Sequence, residues 1–300
     1  MKQTFYSNGK LLLTGEYVVL DGATALAIPT KFGQSLTITH TNDKNIHWKS
    51  LTNENKVWYE EAFVIENLEY SSQTNLFSET LQKILHEAKK LNQRFLSESH
   101  GFTVETKLDF PRNWGLGTSS TLLNNIAQWA KVDAYELLEK SFGGSGYDIA
   151  TAQHDYPVLY NNKRTPRAKK AHLPWEFTNN LFFVYLNKKQ DSKEGIAHYK
   201  SQNIDPKTIE KVTDLTNKLL LCYDLPSFEK IITAHELLIS KTIKQAKIKE
   251  KLFSDYPHII KSLGAWGGDF VLVVGDKKNQ DYFKNKGYKT IIPFSEMIIN

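Results

Sequence analysis

One segment constrains this 300-residue chain more than any other: FPRNWGLGTSSTLLNNIAQWA, residues 110 to 130. Gly115 and Gly117 let the backbone adopt positive φ and approach a ligand closely. Thr118, Ser119 and Ser120 then bring hydroxyls to the point where a helix begins. The free N–H groups and positive end of such a helix favour a phosphate, and a hydroxyl there can ligate Mg2+. No GxxxxGK[ST] occurs anywhere, so this is not a Walker loop. Read alone, the segment is equally an ordinary helix start after a glycine turn.

Composition narrows the class. Hydrophobic residues are 40%, charged residues 24%, with 16 Gly and 9 Pro, which excludes a collagen-like or mostly disordered chain. The net charge of +5 suits a small anionic substrate and is weak ground for nucleic acid. The single cysteine, Cys222, excludes an internal disulfide and a multi-thiolate zinc site. The first apolar run is interrupted by Glu16, so it reads as neither a signal peptide nor a membrane span. The expectation is a soluble, cytoplasmic protein, monomer or homodimer, with no membrane or nucleic-acid partner.

Hydrophobic spacing predicts two short strands around a turn at 10–20, strands at 34–40 and 102–110, and helices at 75–91 and 119–131. Asp133 is expected to cap a helix running through Lys140. The basic, proline-bearing stretch 161–175 reads as the boundary between two halves, 1–170 and 171–300. Beyond it, strands at 180–187, 270–276 and 290–294 alternate with helices at 206–221 and 227–250. This is an α+β pattern.

Three more glycine-bearing segments stand out. In GKLLLTGEYVVL (9–20), Lys10 heads an apolar strand, as an ammonium that has a partner or as an edge lysine reaching water. In GGSGYDIATAQ (143–153), Asp148 follows a flexible turn, as an N-cap or as a carboxylate aimed into a cleft. In KSLGAWGGDFVLVVG (261–275), the glycines form a plain turn or present N–H groups to phosphates.

Taken in order, the four segments resemble the GHMP kinase superfamily over nearly the whole chain, Gly9 to Gly275. Its middle motif, P-x-x-x-G-L-G-S-S-A, is matched by Pro111 to Ser120. Its first motif is matched at Gly9, Lys10, Gly15, Glu16 and Tyr17, with Asn8 in place of proline. Its SG-[VF]-D motif is matched by Ser145, Gly146, Tyr147 and Asp148. GSGYDIA (144–150) and GAWGGD (264–269) resemble the phosphomevalonate kinase forms GSGFDVA and GAGGGD, and the first also resembles a bacterial GYDIA-type group. Trp266 departs from glycine, and Leu263 from a usual Ser or Thr.

The resemblance implies a two-domain α+β GHMP kinase fold. Its N-terminal domain (1–170) resembles domain 2 of a ribosomal protein and carries the ATP and catalytic motifs; its C-terminal domain (171–300) is ferredoxin-like. It implies ATP and Mg2+ as cofactors, with Gly115, Leu116, Gly117, Thr118, Ser119 and Ser120 around the phosphates and Ser119 on the metal. Glu139 is the chosen second metal ligand, since Leu137 holds the family's position and Glu136 flanks it. Asp148 and Lys10 are the implied catalytic pair, the lysine keeping the aspartate ionised. Lys10, Glu16, Ser145, Asp148, Ser192, Lys193 and Gly264 are the implied substrate contacts. A phosphate-ester acceptor would need more cations, from Lys163, Arg164, Arg167 and Lys169 or from the Lys188–Lys193 segment. The implied activity is phosphorylation of an isoprenoid-pathway acid, phosphomevalonate or mevalonate. The alternatives are another small alcohol, such as a sugar or a homoserine-like compound, or a non-catalytic nucleotide- or metabolite-binding relative.

Overall fold

The computed structural model describes residues 2–70, 75–97, 100–165, 167–190 and 192–299. They form two compact units, each discontinuous in sequence. Unit 1 is Met1–Gly9, Phe32–Arg112 and Gly117–Gln153; unit 2 is Lys10–Lys31, Asn113–Leu116 and His154–Asn300. Neither coincides with a single division at residue 170.

In unit 1 the strands are the first part of β1 (Lys2–Thr14), the later part of β2 (Ala25–Thr41), β3 (Asn45–Leu51), β4 (Val57–Val64) and β5 (Gly101–Leu108). β3 pairs antiparallel with β4 and parallel with β5, and β5 pairs antiparallel with β2 from Gln34↔Leu108 to Thr41↔Gly101. The sheet is therefore mixed. The helices are α1 (Leu76–Leu91), α2 (Thr118–Ala130), α3 (Ala134–Ser141) and α4 (Tyr147–Ala152). Alternation along the strands turns Leu36, Ile38, Ile46, Trp48, Phe102 and Val104 into one core with Leu81 and Leu85 of α1, Leu123 and Ile126 of α2, and Leu137 of α3. Helix ends follow the sequence: Asn75 accepts from Phe77 and Ser78 N–H, and Asp133 caps α3 at Glu136 N–H.

Unit 2 holds the end of β1, the start of β2, β6 (Val158–Tyr160) and β7 (Ala168–Lys170). β2 pairs with β6 and β6 with β7, all antiparallel. A second, antiparallel sheet contains β8 (Leu181–Tyr185), β9 (Ile260–Ser262), β10 (Phe270–Val274) and β11 (Ile291–Pro293) in the order β11-β8-β10-β9. Between β8 and β9 run α5 (Ser192–Lys200), α6 (Pro206–Leu219), α7 (Leu225–Ile243) and α8 (Ile248–Leu252). α9 (Asn279–Asn285) joins β10 to β11, and α10 (Phe294–Met297) follows. The succession is strand, helices, strand, strand, helix, strand.

Two expectations are corrected. Residues 10–20 are not two strands: β1 ends at Thr14, Gly15 takes φ +90°, and Val18–Asp21 form one 3-10 turn. The helix expected over 227–250 is two, because Lys244 is left-handed and closes α7. The basic stretch 161–175 contains a paired strand, β7.

Candidate active site

In unit 1, Gly117 is left-handed (φ 94°) and occupies the N-cap of α2 without any side-chain cap. The first N–H groups of α2 are therefore left to a ligand or to water. The three hydroxyls differ. Buried Ser120 donates to Gly117 O at 2.8 Å, and Thr121, also buried, donates to Gln34 Oε1 at 2.7 Å. Ser119 is exposed, so its hydroxyl faces outward at the helix start. α2 is held in place by a buried polar network: Ser7 donates to Asn125 Oδ1 (2.7 Å), and Asn124 donates to Ser7 Oγ (2.8 Å).

Asp148 also lies in unit 1. It is not the N-cap that the spacing allowed. Gly146 (φ 88°) takes the cap, and Asp148 sits inside the first turn of α4. Gly143 and Gly144 are left-handed as well (φ 69° and 130°), so the turn carrying Ser145 needs its glycines. Glu139 is exposed on α3, and Glu136 pairs with Lys140 at 3.8 Å. Among the described residues no three His, Cys, Asp or Glu side chains gather to hold a metal. Ser119 and Glu139, the expected metal ligands, are both exposed oxygen donors, of the kind Mg2+ accepts.

In unit 2, residues chosen from separate motifs converge. The backbone N–H of Lys10 donates to Leu116 O at 2.9 Å. Next to Leu116, Gly115 (φ 70°) lies against Asp269: a Cβ at 115 would fall 2.3 Å from Asp269 Cγ. Gly264 approaches the same carboxylate, with its ideal Cβ 3.8 Å from Oδ2. Gln190 N–H donates to Asp269 Oδ1 at 3.3 Å. Gly268 packs on the 188–190 segment, where a Cβ would lie 2.7 Å from Lys188 O. Gly115 and Gly264 thus approach one carboxylate, which the sequence reading did not choose, and Lys10 is joined by its backbone to Leu116, the residue after Gly115. Ser192 and Lys193 are exposed in the first turn of α5, and Asp191 lies outside the described residues.

Trp266 does not obstruct the late glycine loop. It is left-handed (φ 49°), and its indole is buried with Tyr17, Val18, Tyr199 and Ile239. Leu263 is buried too. Tyr17, itself at φ 60°, is held by its hydroxyl donating to Ala265 O (2.7 Å) and by stacking on Tyr199.

Glu16, expected to contact substrate, is fully buried. It pairs with Lys261, which also donates to Glu236 Oε1 (3.0 Å) and Ser262 O (2.5 Å). His235 Nε2 accepts from Gly15 N–H at 3.1 Å and stands 3.5 Å from Glu16 Oε2. Burial raises the Glu16 carboxyl to about 7 against the pull of Lys261, and burial holds the His235 ring neutral, well below its usual range. This cluster ties the Gly15–Tyr17 turn to the strand leading into the late glycine loop. Sequence reading missed it, although Lys261, a lone lysine ending an apolar strand, carries the same signal as Lys10.

No family model matches the chain, and no curated protein matches it in sequence. Solved structures do match its fold. Mevalonate kinase from Methanococcus jannaschii aligns over 97% of both chains at 15% identity and TM-score 0.73. Phosphomevalonate kinase from Streptococcus pneumoniae, in complex with phosphomevalonate and AMPPNP, aligns over 95% of both at 17% identity and TM-score 0.69. Galactokinase from Lactococcus lactis, complexed with galactose, covers 99% of this chain and 93% of its own at 14% identity and TM-score 0.70. The chain thus has the fold shared by these three kinases.

Proposed function

We propose that this protein is an ATP-dependent small-molecule kinase acting on a small anionic acid, with mevalonate or phosphomevalonate as the leading substrates. The observation that carries the reading is that the first and last motifs both meet the middle one in unit 2: the Lys10 backbone bonds to Leu116, and Gly264 and Gly115 approach the same Asp269 side chain. A fold shared with mevalonate kinase and phosphomevalonate kinase supports it. The strand succession of unit 2 and its order β11-β8-β10-β9 support a ferredoxin-like C-terminal domain within 171–300, with 1–170 as the N-terminal kinase domain.

Phosphoryl transfer needs positioning and charge neutralisation more than covalent help. In this reading the Gly115–Ser120 backbone N–H groups bind the phosphates. Ser119, with Glu139 as a second candidate, would hold Mg2+, which when bound would supply positive charge to the phosphates. Asp148 accepts or orients the acceptor proton while the acceptor oxygen bonds to the γ-phosphorus and the β–γ bridge breaks, releasing ADP. In the same reading Lys10 supplies the cation of the catalytic pair and eases loss of the acceptor proton. Ser145, Ser192 and Lys193 orient the acceptor. Among the cation groups, the Lys188–Lys193 segment is favoured because its 188–190 part packs on the late glycine loop. Lys163 is instead committed to Asp21 O. Glu16 acts from behind, through the Gly15–Tyr17 turn.

The test is ADP release from Mg-ATP in the presence of mevalonate, phosphomevalonate, homoserine or simple sugars. Turnover with either mevalonate compound supports the full reading, and turnover with homoserine or a sugar moves the protein to another branch of small-alcohol kinases. Nucleotide binding without transfer to any acceptor refutes catalysis in favour of a binding protein.

A further inference from the structure

Tyr17 carries an unusual backbone. Its φ of 60° and ψ of −49° are those of the rarer, positive-φ γ-turn, closed by Val18 N–H donating to Glu16 O at 2.6 Å. That conformation is strained and persists only where the surroundings hold it. Glycine would adopt it more easily, so the reason for a tyrosine lies in its side chain. The phenol is buried and makes three contacts in unit 2. Its hydroxyl donates to Ala265 O (2.7 Å) in the late glycine loop, and its ring stacks on Tyr199 with centroids 5.6 Å apart. The third contact is at Gly195, where a Cβ would fall 2.3 Å from the Tyr17 hydroxyl oxygen and 3.1 Å from Cε1 and Cζ. Gly195 and Tyr199, four residues apart, lie on one face of α5. A glycine inside a helix costs stability against alanine, and the phenol pressed on position 195 explains why it is there. Tyr199 is fixed in turn, its hydroxyl donating to Asp21 Oδ2 at 2.5 Å. The segment before α5 is fastened to the same loop, through Gly268 on Lys188 O and Gly267 beside the Gln190 side chain. Burial pushes the Tyr17 hydroxyl above its ordinary range, so it stays a donor.

We infer that Tyr17 is a positioning residue, whose γ-turn projects the phenol that seats the first turn of α5 on the late glycine loop and so sets the place of Ser192 and Lys193. This deepens the kinase reading and rests on it for its catalytic meaning, because Ser192 and Lys193 are the acceptor contacts of that reading. Tyr17 is itself too buried to touch a substrate.

The test is hydrogen exchange in the full chain. Tyr17→Phe keeps the ring and removes the hydroxyl. It should quicken exchange of the α5 amides about tenfold, and more than exchange of those in β10. Unchanged α5 amides, or an equal gain in β10, overturn the inference. This readout needs no turnover, so a protein inactive towards every acceptor would sink the functional reading and leave the place of Tyr17 to be judged by itself. Where mevalonate, phosphomevalonate or another of those acceptors turns over, Gly195→Ala should raise its KM about tenfold, with the KM for ATP changed less than about twofold. A merely structural role predicts no such loss, since alanine is the better helix former. Tyr17→Phe removes the atom in the way, so adding Gly195→Ala to that variant should raise the acceptor KM less than about threefold. A rise shared equally by ATP, a rise equal in both backgrounds, or none in either overturns the inference.

Discussion

Replacing Lys261 by methionine isolates the charge at the centre of the buried cluster. Methionine keeps most of the apolar stem and removes only the ammonium, which binds Glu16, Glu236 and the Ser262 carbonyl with no exposure to water. Two carboxyls would then be buried without their cation. Breaking a buried pair in this way costs about 3–5 kcal/mol. The loss should depend on pH. The Glu16 carboxyl is raised from 4.5 to about 7, so between those values the folded state keeps a proton that the unfolded state has released. Stability from Glu16 therefore falls as pH rises through that window, by about 3 kcal/mol in total. His235 opposes this: its folded pKa lies well below 6.5, so the unfolded ring takes up a proton below 6.5 and stability falls as pH drops. Below 6.5 the two slopes oppose each other, so the native cluster should vary less with pH there than Glu16 alone would make it. Without Lys261 the Glu16 carboxyl resists ionisation more strongly, so the deficit should be larger at pH 8 than at pH 5. Urea unfolding of both proteins at the two pH values measures this. A loss under about 1 kcal/mol at pH 8, or one equal at both, would refute the reasoning.

Other outcomes follow from the site. Asp148→Asn should retain ATP binding by calorimetry while turnover drops ~10²–10⁴-fold; near-full activity removes it from the chemistry. Trp266→Gly should not improve activity but should empty a core position, costing about 3–5 kcal/mol in chemical denaturation, because the indole is packed away from the loop. Gly115→Ala should displace Asp269 and lose activity out of proportion to any fall in Tm, read by comparing ADP release with thermal melting.

Much of the architecture was legible where a local physical signal was strong. The cap residues Asn75 and Asp133 and the hydroxyl cluster before α2 mark helix starts, and FVLVV reads at once as a buried strand. Residues 17–20 misled because a short apolar run packs equally well as a strand or as one buried turn, and the decision lay in the positive φ of Gly15 and Tyr17. β3 and β4 went unseen because Lys49, Glu60 and Glu61 mask their alternation. The motif residues were legible from order and spacing. Asp269, His235, Glu236 and Lys261 were not, since each looks like a surface charge until a partner far along the chain, such as Glu16, is brought to it.

The interleaving of the two units bears on how the chain is made. The core around Tyr17 and Val18 is completed by Tyr199, Ile239 and Trp266, so residues 17 and 18 wait until residue 266 has been synthesised before all their neighbours exist. Contacts of such long separation are slow to form. A fragment beginning near residue 154 would lack that early segment and leave its apolar seat bare, inviting aggregation rather than independent folding.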